Sequence, residues 1–179
     1  AVLSALLSLI TTLSPRKVYA EGAQPQVLFV PVVSSKGVSE PMRASFDEHA
    51  RGLFGSNAGL KGKVALLDLD RTKRSLEAAG CGKRCTSTRS LVDIAKSSDL
   101  IRFIFVTEID NVDEIFSIKV RLFDAGLKKL YKADEASCEF CTEVEVKTKL
   151  TEAITSAGFL KALAQPGPAP KEPEAPPVF

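Results

Sequence analysis

Four cysteines stand in two tight pairs, Cys81-x3-Cys85 and Cys138-x2-Cys141. Pairs this close are the usual ligand spacing of a four-thiolate zinc site. They also suit short structural disulfides, or a redox-active dithiol. Cys138-Glu139-Phe140-Cys141 is placed where a strand runs into a helix, and a helix amino terminus favours the thiolate. Glu139 works against that by adding negative charge, and thioredoxin-like proteins set the motif after an early strand rather than before the last helix. The compartment decides, because thiols stay reduced in the cytosol and oxidise outside it. An exported chain takes the disulfide reading. The pairs 81–85 and 138–141 then ask least of the fold, and a cross-pairing between the two regions is the other arrangement.

The remaining candidates are singular or incomplete. His49 is the only imidazole and falls on the apolar face of the first helix, where a satisfied core histidine is expected. A Ser-His-Asp site has no nucleophile elbow to support it. Gly55 to Lys63 carries the glycines of a phosphate loop, but no Gly-Lys-Ser/Thr follows at the required distance. A strand follows it, whereas phosphate loops feed a helix whose amino terminus holds the anion. Asp110, Asp113 and Glu114 lack the alternating ligands and glycine of a calcium loop and read as a hairpin turn. Arg71, Lys73, Arg74, Lys83, Arg84 and Arg89 cluster around the second helix and the loop after it. They form either a solvated helix face or a face for an anion or partner, such as acidic head groups or an acidic protein.

Composition narrows the classes. At 179 residues, 45% hydrophobic and 26% charged, the chain is of ordinary single-domain kind, which excludes wholesale disorder and a polytopic membrane protein. Lys and Arg number 24 against 22 Asp and Glu, and loss of Arg16 and Lys17 with a leader leaves 22 of each. A neutral chain lacks the basic field of general nucleic-acid binding. We expect no cofactor, no metal and no catalytic residue.

The elements that must position these residues follow from apolar patterning. Ala1 to Leu13 is an uncharged apolar run, too short to span a bilayer but suited to a signal peptide of residues 1–20, with small residues at Val18-Tyr19-Ala20. The run begins without Met or a basic leader, as expected of a chain whose start lies upstream. No cysteine follows it, which excludes lipoprotein processing there. After a linker at 21–26, one domain is expected over 27–163. Val27 to Val30 is a continuous apolar run and predicts a strand covered on both faces. Ser39 or Glu40 opens a helix with Met42, Phe46, His49 and Leu53 on one face. Val64 to Leu67 predicts a second buried strand, Asp70 caps a helix over 71–79, and Ser87 or Thr88 starts a short helix carrying Leu91, Ile94 and Ala95. Three strands follow: Ile101 to Ile109 at the centre, the alternating Phe116 to Leu122, and a polar edge strand around Leu130 to Ala136. Asp110 to Asp113 supplies the first turn between them. A long helix from about Phe140 to Leu163 closes the domain. The fold class is therefore α/β: a single mixed sheet of about five strands with three to four helices, in the order β-α-β-α-α-β-β-β-α. Residues 164–179 are a proline-rich linker, and the closing Val178-Phe179 raises the expectation of a membrane anchor beyond Phe179.

This arrangement resembles the amino-terminal domain of TolB and the related periplasmic domain of the curli secretion protein CsgG. The resemblance spans roughly Val27 to Gly158. It is carried by Val27-Leu28-Phe29-Val30-Pro31, by Gly80-Cys81 and Cys85 ahead of Leu91-Val92-Asp93-Ile94-Ala95, by Arg121-Leu122-Phe123-Asp124, and by Cys138 and Cys141 opening the last helix. It implies a non-catalytic binding or assembly module of the bacterial envelope, exported to the periplasm, with an envelope protein as partner. A periplasmic thiol–disulfide oxidoreductase using Cys138 and Cys141 is the main alternative, and a module binding a cell-wall or small anionic ligand is another.

Overall fold

The computed structural model describes residues 24–34, 36–81, 85–97 and 100–164. The expected leader, most of the proline-rich linker, and Lys83 and Arg84 lie outside the described residues. The elements are β1 (Gln26–Val33), α1 (Glu40–Gly55), β2 (Ala65–Leu66), α2 (Leu69–Ala78), α3 (Thr88–Ser97), β3 (Ile101–Val112), β4 (Ile115–Asp124), β5 (Lys129–Glu139), α4 (Glu143–Ser156) and α5 (Phe159–Ala164). They form one five-stranded mixed sheet, and the α/β class and the order of elements along the chain are those that the patterning predicts; within the sheet the strands stand in the order β2-β1-β3-β4-β5.

β1 runs parallel to both β2 and β3, and this central place explains why Val27 to Val30 are buried on both faces. Pro31 has no N–H to give, and the β1–β3 register shifts between Val30 and Val33 where it sits. From β3 the chain turns back as an antiparallel meander. β3 and β4 pair from Phe103↔Asp124 to Val112↔Ile115. Their turn is Asp113-Glu114, both at positive φ (51° and 64°), and not the expected Asp110 to Asp113. A two-residue turn with both central residues left-handed matches the twist of its strands, so β3 continues to Val112. β5 is the expected polar edge strand and runs on to Glu139.

Two apolar layers sandwich the sheet. Under α1, α4 and α5 lies an aromatic cluster: Phe54 meets Phe29 and Phe105 at 4.7 and 4.8 Å, and Phe105 meets Phe159 at 5.6 Å, the contacts edge to face. Under α2 and α3, Leu28, Val30, Ile104 and Val106 pack with Leu91 and Ile94.

Besides that turn, three expectations about the elements need correction. β2 is a half-buried pair of residues at the sheet edge, not a buried strand over 64–67, because the chain leaves the edge at once to cap α2. That cap is Asp68, not Asp70. The cap accepts from the N–H three residues on, and Asp68 Oδ1 takes Arg71 N–H at 2.8 Å. The single closing helix is two, α4 and α5, parted where Gly158 adopts φ +68°.

Candidate interaction surface

Each cysteine is joined to its near neighbour, Cys81 to Cys85 with Cα atoms 5.5 Å apart and Cys138 to Cys141 with Cα atoms 5.8 Å apart. Cys85 packs in the layer under α2 and α3, whereas Cys138 packs in the opposite layer with α1 and α4. The sheet stands between the two pairs, so four thiolates do not converge on a zinc ion and a cross-bridge has no path. Cys138 is buried against the core, opposite Phe116 in the sheet, an accessibility ill-suited to an attacking thiol.

The Cys138–Cys141 bridge holds something else in place. Between its ends, Phe140 takes φ +52°, a conformation that L side chains rarely adopt. Its N–H donates to Glu114 O at 2.9 Å, tying the corner to the β3–β4 turn. Directly after it, Thr142 caps α4: its hydroxyl accepts Glu145 N–H at 3.4 Å, and the Glu145 carboxylate accepts Thr142 N–H at 2.8 Å. The backbone is thus fixed on both sides of Phe140, while its side chain is 77% exposed. Val144 in the first turn of α4 is 71% exposed, and the cross-strand pair Val112 and Ile115 beside the turn is 44% and 41% exposed. One end of the molecule therefore presents four large apolar side chains.

Carboxylates rim that end. Asp113, Glu114 and Glu139 make no ion pair among the described residues. Glu143 is held below the usual carboxylate range by its hydrogen bonds to Ser45 (2.6 Å) and Lys147, and Glu145 by its bonds to the backbone and side chain of Thr142. Both stay ionised at neutral pH. Asp110 is engaged behind the turn, accepting Lys36 N–H at 3.1 Å and the Ser34 hydroxyl at 3.3 Å. The three acids expected to form a turn are thus divided, and no metal-holding group of His, Cys, Asp and Glu exists among the described residues.

His49 bridges helices. Its Nε2 lies 2.9 Å from Thr151 Oγ1 on α4, and burial followed by the charge of Lys147 pushes its pKa below the ordinary value. It is half-buried, and the core stripe of α1 is Phe46, Ala50 and Phe54, rotated from the expected one. Arg71, Lys73 and Arg74 are exposed on α2 and Arg89 on α3, with Arg71 paired to Asp68 at 3.3 Å. Asp70 and Glu77 share α2 with them, so that layer mixes both signs.

The glycine-bearing segment after α1 forms a pocket of about 540 Å³ against β2, lined by Phe54, Leu60, Val64 and Leu66 with Lys61 among its walls. Apolar patterning reveals neither this pocket nor the exposure of Phe140. A signal for Phe140 does exist in the sequence: a bulky residue inside a two-residue disulfide loop has no interior of its own to enter.

No family model matches the chain, and no curated protein does. Among solved structures, the C-terminal domain of LpoB from Escherichia coli is similar at 12% identity and TM-score 0.47, over 68% of this chain and 87% of that one. Lipoprotein GNA1162 from Neisseria meningitidis is similar at 11% identity and TM-score 0.48, over 74% and 94%. TolB from Acinetobacter baumannii is similar at 9% identity and TM-score 0.39, over 75% of this chain and 28% of TolB.

Proposed function

We propose that this chain is a non-catalytic binding or assembly module of the bacterial cell envelope, exported to the periplasm, whose contact surface is the end of the sheet around Phe140. The observation that carries the reading is Phe140 itself, held in a costly backbone conformation by a disulfide, a hydrogen bond to the turn and a capping box, with its ring in solvent. A large aromatic at the centre of a small apolar patch with a charged rim is the usual make-up of an interface hot spot. The two disulfides fit an oxidising compartment. A leader over 1–20, the domain over 27–163 and kinship with the TolB and CsgG domains belong to the same proposal. So does a secondary contact face at Arg71, Lys73, Arg74, Lys83, Arg84 and Arg89.

The test is expression in a bacterial cell with a photo-crosslinking amino acid in place of Phe140, and a control with it in place of Lys96 on α3. The expected result is protein in the periplasmic or membrane fraction, all four cysteines blocked to alkylation, and a protein adduct from position 140 alone. Cytoplasmic protein with free thiols, or adducts equal at both positions, would overturn the reading.

A further inference from the structure

Phe140 stands exposed at one end of the sheet, and a pocket opens beside β2 at the other. We propose that the chain associates head to tail with a second copy, the Phe140 side chain of one molecule entering the Leu60–Leu66 pocket of the next. This rests on the reading of the Phe140 end as a contact surface and names its occupant.

Shape comes first. The pocket, at about 540 Å³, has Phe54, Leu60, Val64 and Leu66 on its apolar side and Ser56, Asn57 and Lys61 on its polar side, and is large enough for a phenyl ring with neighbouring side chains. Phe140 is the most exposed large apolar side chain among the described residues. Charge agrees with shape. Among the described residues, Asp113, Glu114 and Glu139 beside Phe140 make no ion pair, and neither do exposed Lys61 in the pocket wall and exposed Lys63, which lies in sequence between the lining residues Gly62 and Val64. Joined, the two surfaces would neutralise each other around an apolar centre, which favours correct docking over incorrect.

Topology forbids the same molecule from making this contact. The pocket adjoins β2 at one edge of the sheet, where Ala65 pairs with Gln26 and Gln26 with Ile101 at the start of β3. Phe140 follows β5 at the other edge, beside the turn that lies past Val112 at the end of β3. The length of β3, roughly 40 Å at about 3.3 Å per residue, separates the two ends. A contact between different patches at opposite ends is heterologous, so it builds a closed ring or an open fibre rather than a two-fold dimer.

Sedimentation of the purified protein over a concentration series, with charge-reversed variants, tests this. The wild type is expected to form larger species as concentration rises and to lose them as salt rises. Phe140→Ser should weaken association about tenfold or more. Glu114→Lys with Glu139→Lys makes both ends basic, and Lys61→Glu with Lys63→Glu makes both acidic. Each double variant alone should remain monomeric, and an equimolar mixture should associate again, because every tip then meets a pocket of opposite charge. A wild type that stays monomeric throughout, a mixture that fails to recover, or association indifferent to Phe140 would overturn the proposal. It is overturned equally if Phe140 inserts instead into anionic vesicles, or if the position-140 adduct in cells is solely a foreign protein. That last result leaves the contact surface standing and removes only the second copy as its occupant.

Discussion

At Phe140 the local and the global interest of the chain diverge. A non-glycine residue in the left-handed region costs roughly 1–2 kcal/mol, and this one recovers nothing by burying its ring. Phe140→Gly should relieve the backbone while loosening the unfolded chain, for a net gain of about 1 kcal/mol in urea unfolding. A loss of stability there would mean that the ring packs, and would weaken its role as a contact. His49 makes a second prediction at this scale. Its folded pKa is depressed by burial and by Lys147, so between that value and about 6.5 the unfolded chain binds more protons than the folded one. The stability it contributes is complete above pH 6.5 and is lost as pH falls toward the folded pKa. In His49→Gln, unfolding measured across pH 5 to 7 should show a flatter profile than the wild type.

Among the elements, the loop into α1 and the junctions of α4 carry the local constraints. Gly37 adopts φ +68°, and a Cβ built there would lie 2.0 Å from Asn111 O, whose own N–H binds Lys36 O at 3.0 Å. Gly158 has the same φ but nothing nearer than Lys132 Nζ, at 3.7 Å. Gly158→Ala should therefore cost about 1 kcal/mol, for conformation alone, and Gly37→Ala distinctly more, for conformation and collision together. Thr142→Ala should cost about 1 kcal/mol through the lost capping box. Thermal unfolding of the three variants gives the ranking directly. Elements were legible in the sequence where burial alone sets the pattern: the unbroken Val27 to Val30 of a central strand, and the alternation from Phe116 to Leu122 over a single covered face. They were illegible where a neighbour decides. Asp68 and Asp70 are equally good caps in isolation, and only the short pairing of β2 selects Asp68. Gly158 reads as a tolerable helical glycine until α5 folds back onto the aromatic cluster. The pocket after α1 exists only because its loop crosses the sheet edge.

For the molecule as a whole, the disulfides brace opposite sides of the sheet. Each closes a very short loop and should contribute about 2 kcal/mol, less than a long bridge gives. Reduction of both should lower the melting temperature by roughly 10 °C, with circular dichroism at low temperature keeping its native form. Neither pair should reduce insulin, since Cys138 lies in the core.

The place of β1 has a consequence for how the chain comes into being. Val27 to Val30 emerges early from the ribosome, yet its main partner is β3, with Leu28 against Ile104. At about 5–20 residues per second, roughly 4 to 15 seconds pass before that partner exists. Throughout this interval the most apolar strand of the domain has at most the two residues of β2 beside it. The β3–β4–β5 meander, by contrast, pairs neighbours in sequence and can form as soon as it is complete. Folding then runs against the direction of synthesis, the later half offering the surface onto which the earlier strand inserts. Nascent fragments that stop before Ile101 should associate with holdase chaperones or aggregate, and those that continue past Ala164, with α4 and α5 in place over the sheet, should resist protease.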